Sequence, residues 1–160
     1  MNKYRSEIFG EFTYAESMTY EDLIANESDL MENLDGIFQD GGAEHLDYTP
    51  LGDMLMTQCA FEVQNLEIFR DIAQEIAFIL PEKIKGRLMC LQKDLTSYHL
   101  FWIRRGQWQE QEIILPIKGP ENVPVHKIKK MPEPVQKQEE MPAVSDKPEM
   151  NMERINGADL

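Results

Sequence analysis

The sequence predicts an α+β domain trailed by a disordered segment, and three observations carry that expectation. Residues 52–80 place apolar side chains three and four apart, the spacing of an amphipathic helix. Two segments rich in aromatic and β-branched residues flank Arg105-Gly106, the pattern of a hairpin. Seven of the nine prolines lie between Pro116 and Pro148, and no aromatic residue follows Trp108. The expected architecture is N-terminal acidic helices and one long amphipathic helix packed on a small antiparallel β-meander, with a disordered C-terminal tail.

Taken in chain order, Ile8 to Tyr14 reads as a short strand or an extended arm. Thr19-Tyr20-Glu21-Asp22 resembles a helix start, with Thr19 as the cap and an acid three residues on. Leu23, Ile24, Leu30, Met31, Leu34, Ile37 and Phe38 continue at helical spacing, divisible into two short helices, and Gly41-Gly42 marks the end. From Gly52 to Leu80 the apolar stripe runs through Leu55, Cys59, Val63, Leu66, Phe69, Ala73 and Ile76, and predicts one long helix closed by Pro81. Residues 81–95 fit either a helix through Ile84, Leu88, Leu91 and Leu95 or a strand over Arg87–Gln92. Gly86 would cost such a helix about 1 kcal/mol, and the strand is preferred because the next two segments read as β. Those segments are Ser97 to Arg104 and Gln107 to Ile117. Placing Ile103 opposite Trp108 sets Phe101 opposite Glu110 and His99 opposite Glu112. Phe101, Ile103 and Trp108 then share one face, and Trp102 takes the other.

The expected division is a single domain over residues 1–117 and a tail over 118–160. Within the domain, 1–58 is acidic and expected to be mostly helical, and 59–117 holds the long helix and the hairpin or meander. The tail is rich in Pro, Lys and Glu and is too poor in large apolar residues to offset an ordering cost of about 1–2 kcal/mol per residue.

Charge sets the main limits on function. The 160 residues carry 29 acidic and 16 basic side chains, a net charge of -13. Residues 1–58 alone hold 13 acids against Lys3 and Arg5, so nearly all the excess lies in the first third. Such a chain repels nucleic acid and anionic lipid, and neither is expected as a direct partner. No apolar run approaches the roughly 20 residues of a membrane-spanning helix. Met1 to Gly10 lacks a basic flank followed by an apolar stretch, so no secretory signal is read there and a cytoplasmic location is expected. Two cysteines do not make a disulfide framework.

No phosphate-binding loop, dinucleotide fingerprint, nucleophile elbow or zinc-protease motif occurs. No catalytic, cofactor or metal residue is therefore assigned. The stretch Asp35 to Glu44 lacks the alternating ligands of a calcium loop, and His45, His99 and His126 share no metal-ligand spacing. Cys59, placed on the long helix, and Cys90, in an apolar run, read as buried structural thiols. A Cys90–His99 nucleophile pair and a His99–Glu112 acid–base pair are weighed against simple burial and proximity, which explain them as well.

Two surfaces stand out as partner-binding candidates. One is the acidic third, represented by Glu21, Asp22, Glu32 and Asp35, which reads either as a solvated face or as a surface for a basic protein. The other is the basic, aromatic patch of Trp102, Arg104, Arg105 and Trp108. The function expected from them is a small soluble protein-binding module, whether adaptor, chaperone-like or regulatory, with a basic protein partner. Two alternatives stay open. The carboxylates would mimic phosphates in an inhibitor of a nucleic-acid-binding protein, or a pocket between the main helix and the meander would serve a small enzyme or ligand sensor.

Overall fold

The computed structural model describes residues 3–93, 97–116 and 119–127. Its elements are β1 (Ser6–Tyr14), α1 (Tyr20–Asp40), β2 (Glu44–Pro50), β3 (Met54–Phe61), α2 (Leu66–Ile79), β4 (Ile84–Gln92), β5 (Ser97–Arg104) and β6 (Gln107–Ile114). The chain divides into two units, Met1–Glu121 and Asn122–Leu160. In the second, residues 122–127 carry neither helix nor strand. Of the tail expected over 118–160, only 119–127 are described, and none of these is in a helix or strand.

The strands form a six-stranded sheet in the order β2-β3-β1-β4-β5-β6. Every neighbouring pair is antiparallel. The fold is thus α+β, but the sheet is larger than the expected meander, which forms only its β4-β5-β6 half. β1, read as a strand or an arm, is a strand at the centre. It is held by β3 on one side and β4 on the other.

The acidic third is not mostly helical. It contributes β1, β2 and part of β3 around a single helix, α1. That helix starts at Thr19, whose Oγ1 accepts the Asp22 N–H at 3.2 Å, and it runs unbroken for 21 residues to Gly41.

The long helix expected over residues 52–80 is two elements, β3 and α2, separated at Asn65. Leu55 and Cys59 misled because residues i and i+4 share a face in a strand as well as in a helix. The deciding pattern is Leu55, Thr57, Cys59 and Phe61, buried at every second position. α2 then begins afresh, with the Asn65 side chain accepting the Glu67 N–H at 3.0 Å.

Residues 84–92 are a strand, and β5 and β6 pair in the expected register, Ile103 with Trp108 and His99 with Glu112. Gly106, at φ 76°, makes the connecting turn, and its N–H donates to the Ala77 carbonyl at 2.8 Å. The turn is thereby fastened to the C-terminal end of α2.

Both helices cover the same face of the sheet. α1 packs on α2 and β2, and α2 packs on β5 and β6. The apolar interior between these layers includes Ile8, Phe12, Leu34, Phe38, Phe69 and Ile76, all fully buried. Gly86 belongs to this packing. A Cβ there would lie 2.8 Å from Cε1 of Phe12, so the glycine leaves room for the ring on the neighbouring strand. Among the described residues, no helix is long and apolar enough to cross a membrane.

Candidate functional site

Among the described residues the other face of the sheet carries no helix, and its side chains follow from strand parity. In β1 the residues Ser6, Ile8, Gly10, Phe12 and Tyr14 point inward, leaving Glu7, Phe9, Glu11 and Thr13 outside. In β4 the outward set includes Lys85, Arg87, Met89 and Leu91, and in β5 Tyr98, Leu100, Trp102 and Arg104.

Register aligns these residues in rows across the sheet. In one row Gln58, Phe9, Met89, Leu100 and Gln111 follow one another from β3 to β6. The next row reads Met56, Glu11, Arg87, Trp102 and Gln109. An apolar centre of Phe9, Met89 and Leu100 therefore lies beside a Glu11–Arg87 ion pair. Arg87 also sits 5.6 Å from the centre of the Trp102 ring, which is 43% exposed. A shallow depression of about 330 Å³ is lined by Glu11, Thr13, Met54, Lys85, Gly86, Arg87 and Trp102.

The sequence-derived candidates divide between the two sides of the molecule. Trp102 and Arg104 stand on the uncovered face, and Arg105 is exposed in the adjoining turn. Trp108 points the other way. It is half-buried against Phe101, with ring centres 5.8 Å apart, and its indole N–H donates to Gln74 of α2 at 2.8 Å. Glu21, Asp22 and Glu32 are exposed on the outer side of α1, away from the sheet. Asp35 is half-buried and accepts from Gln39 at 2.8 Å and from the Tyr48 hydroxyl at 3.4 Å. The structure does not bring the acidic and aromatic sets together.

Under α2 lies a polar cluster that sequence spacing suggested only in part. Glu112 is the register partner of His99, but the His99 ring meets Glu110, with Nδ1 3.1 Å from Oε1. Arg70 of α2 donates to both oxygens of Glu110, at 2.8 and 3.1 Å. The Arg70 guanidinium holds the Glu110 carboxyl below the usual range. Cys90 is the strand partner of His99, which completes a thiol–imidazole–carboxylate order. It is not a nucleophile's environment. Cys90 is 1% exposed, and burial pushes its thiol well above the ordinary value. Cys59, also buried, is pushed up to about 12. The thiols, placed in β3 and β4 rather than on a helix, flank Ile8 in register and remain unbridged.

At the opposite edge, Lys3 bonds Glu44 at 2.9 Å and Glu62 at 2.8 Å. The Tyr4 hydroxyl donates to Glu44 at 2.6 Å and lies 2.6 Å from Nε2 of His45. Tyr4 and Lys3 hold the Glu44 carboxyl below the usual range. His45 adopts φ 55° where β2 shifts register against β3, so this cluster braces an irregular strand edge. Among the described residues, no group of three or more His, Cys, Asp or Glu is arranged to hold a metal ion.

Sequence reasoning missed Phe9, Met56, Met89 and Leu100. A signal for two of them was present. Leu88-Met89-Cys90-Leu91 and Leu100-Phe101-Trp102-Ile103 are apolar at both parities, the pattern of strands covered on two faces. Comparison with protein families, curated proteins and solved structures returned no match.

Proposed function

We propose that the chain is a protein-binding module whose contact surface is the uncovered face of its sheet. The observation that supports this is the continuous apolar centre formed by Phe9, Met89 and Leu100, flanked by Trp102. Solvent-facing strands of an antiparallel sheet ordinarily alternate apolar-in and polar-out. Here the centres of β4 and β5 are apolar on both sides, while α1 and α2 cover only one. Aromatic and Met side chains beside an Arg are also the composition enriched at interface centres.

The acidic side of α1 faces the opposite direction. A basic partner, or a nucleic-acid-binding protein deceived by carboxylates, would engage that side instead. The two surfaces are separable by experiment. The tagged full-length chain is used for affinity capture from its native cell at low and high salt, beside a Leu100→Ser/Trp102→Ala variant and a Glu21→Gln/Asp22→Asn/Glu32→Gln variant. A protein retained at both salts and lost from the sheet variant is the expected result. A protein held only at low salt and lost from the α1 variant moves the contact to the acidic side. Capture unchanged by the sheet variant overturns the reading.

A further inference from the structure

We infer that the occupant of the uncovered sheet face is a second copy of this chain, packed face to face about a two-fold axis running along the strands between β1 and β4. This rests on the reading above and names its partner.

The area of the face fits a second copy. Six strands about 4.8 Å apart and about eight residues long, at about 3.3 Å per residue, present about 700 Å². A stable pairwise interface buries about 800 Å² per partner. One copy of the face is matched in size to another.

The strand order fits a two-fold axis. The strand order sets three strands on either side of the β1–β4 junction, so a two-fold axis there lays β1 over β4 of the second copy. Phe9 then meets Met89 of the second copy. Glu11 meets Arg87 of the second copy, and Met56 meets Trp102 of the second copy. Packed sheets cross at about 30°, so alignment is close only beside the axis. That is where Phe9, Met89, Glu11 and Arg87 sit.

Charge decides the orientation. With the axis along the strands, the two Glu11–Arg87 pairs form a quartet of alternating sign. Lys85 is set over Thr13 of the second copy, and no like charges meet. An axis perpendicular to the strands and midway between the Phe9–Met89 and Glu11–Arg87 rows would lay Phe9 on Glu11 and Met89 on Arg87. It would strip water from charges without giving them partners. The face is self-complementary in the first arrangement alone of these two.

The test is sedimentation of the full-length chain from about 1 µM to about 500 µM, a span that brackets a micromolar Kd. The expected result is a monomer–dimer equilibrium. Arg87→Glu and Glu11→Arg should each weaken it at least about tenfold. The double exchange Glu11→Arg/Arg87→Glu restores alternating sign and should recover the dimer. Thermal melts of the three variants establish that each is folded. A monomer at every concentration overturns the inference, as does a dimer indifferent to the single exchanges. If the chain is monomeric yet captures another protein that the Leu100→Ser/Trp102→Ala variant loses, the inference fails while the binding reading stands. If that variant changes neither mass nor capture, both fail.

Discussion

The two faces of the sheet share every backbone hydrogen bond and differ in what covers them. On the inner face, Ile8, Phe12, Leu88 and Phe101 are fully buried beneath the helices. On the outer face, one residue along the same strands, Phe9, Met89 and Leu100 are half-buried and Trp102 is 43% exposed. Residue chemistry therefore does not distinguish the faces as strongly as burial does. Helix cover makes one set of aromatic and aliphatic side chains a core and leaves the other a surface.

Substitutions on the two sides should separate accordingly. Phe69, fully buried where α2 meets the sheet, sets the upper limit. Phe69→Ala should cost about 3–5 kcal/mol in urea unfolding, and a loss under about 1 kcal/mol would show that α2 does not close the inner face. Next is the polar layer under α2. Glu110→Gln removes a carboxylate whose side chain is 20% exposed and which accepts from Arg70. It should cost about 1 kcal/mol at neutral pH.

That difference has a sign in pH. The Glu110 carboxyl is held below its ordinary value, so its contribution is full above the unfolded value, about 4.3, and is lost as pH falls through the folded one. The wild-type advantage over Glu110→Gln should shrink on acidification. An advantage that grows would break the assignment of the ion pair.

Trp102→Ala should cost less than about 1 kcal/mol in the dilute chain, because the ring is open to solvent and its main contact is Arg87. A larger loss would mean that the outer face is already covered. Glu32→Gln, on the far side of α1, should stay within about 0.5 kcal/mol of wild type. Urea midpoints of both variants at about micromolar concentration measure these effects.

The hairpin was the most legible part of the molecule. In Ser97–Arg104 the alternation is short-range and the turn carries its own glycine, so register followed from local pattern alone. The same logic found α1, where Thr19 and Gly41-Gly42 punctuate both ends. It failed at Leu55–Phe61 because a four-residue repeat fits both periods, and only a distant strand, β1, decides between them. The uncovered face was legible only in part, for a related reason. Apolar residues at both parities announce that both sides need cover, but nothing local says which side the helices take. The Arg70–Glu110 contact joins residues far apart in sequence and leaves no local trace.

The central position of β1 has a consequence in time. Its neighbours β3 and β4 begin roughly 40 and 70 residues after it ends. At about 5–20 residues per second, a ribosome exposes β1 several seconds before the first of them exists. Ile8, Phe9 and Phe12 spend that interval without their strand partners, and pairing across so wide a sequence gap is slow. Of the strands in this sheet, β1 waits longest for both its neighbours. A chain halted before Ile84 would present β1 as a raw, sticky margin, so the hazard of aggregation falls on the nascent protein more than on the finished one.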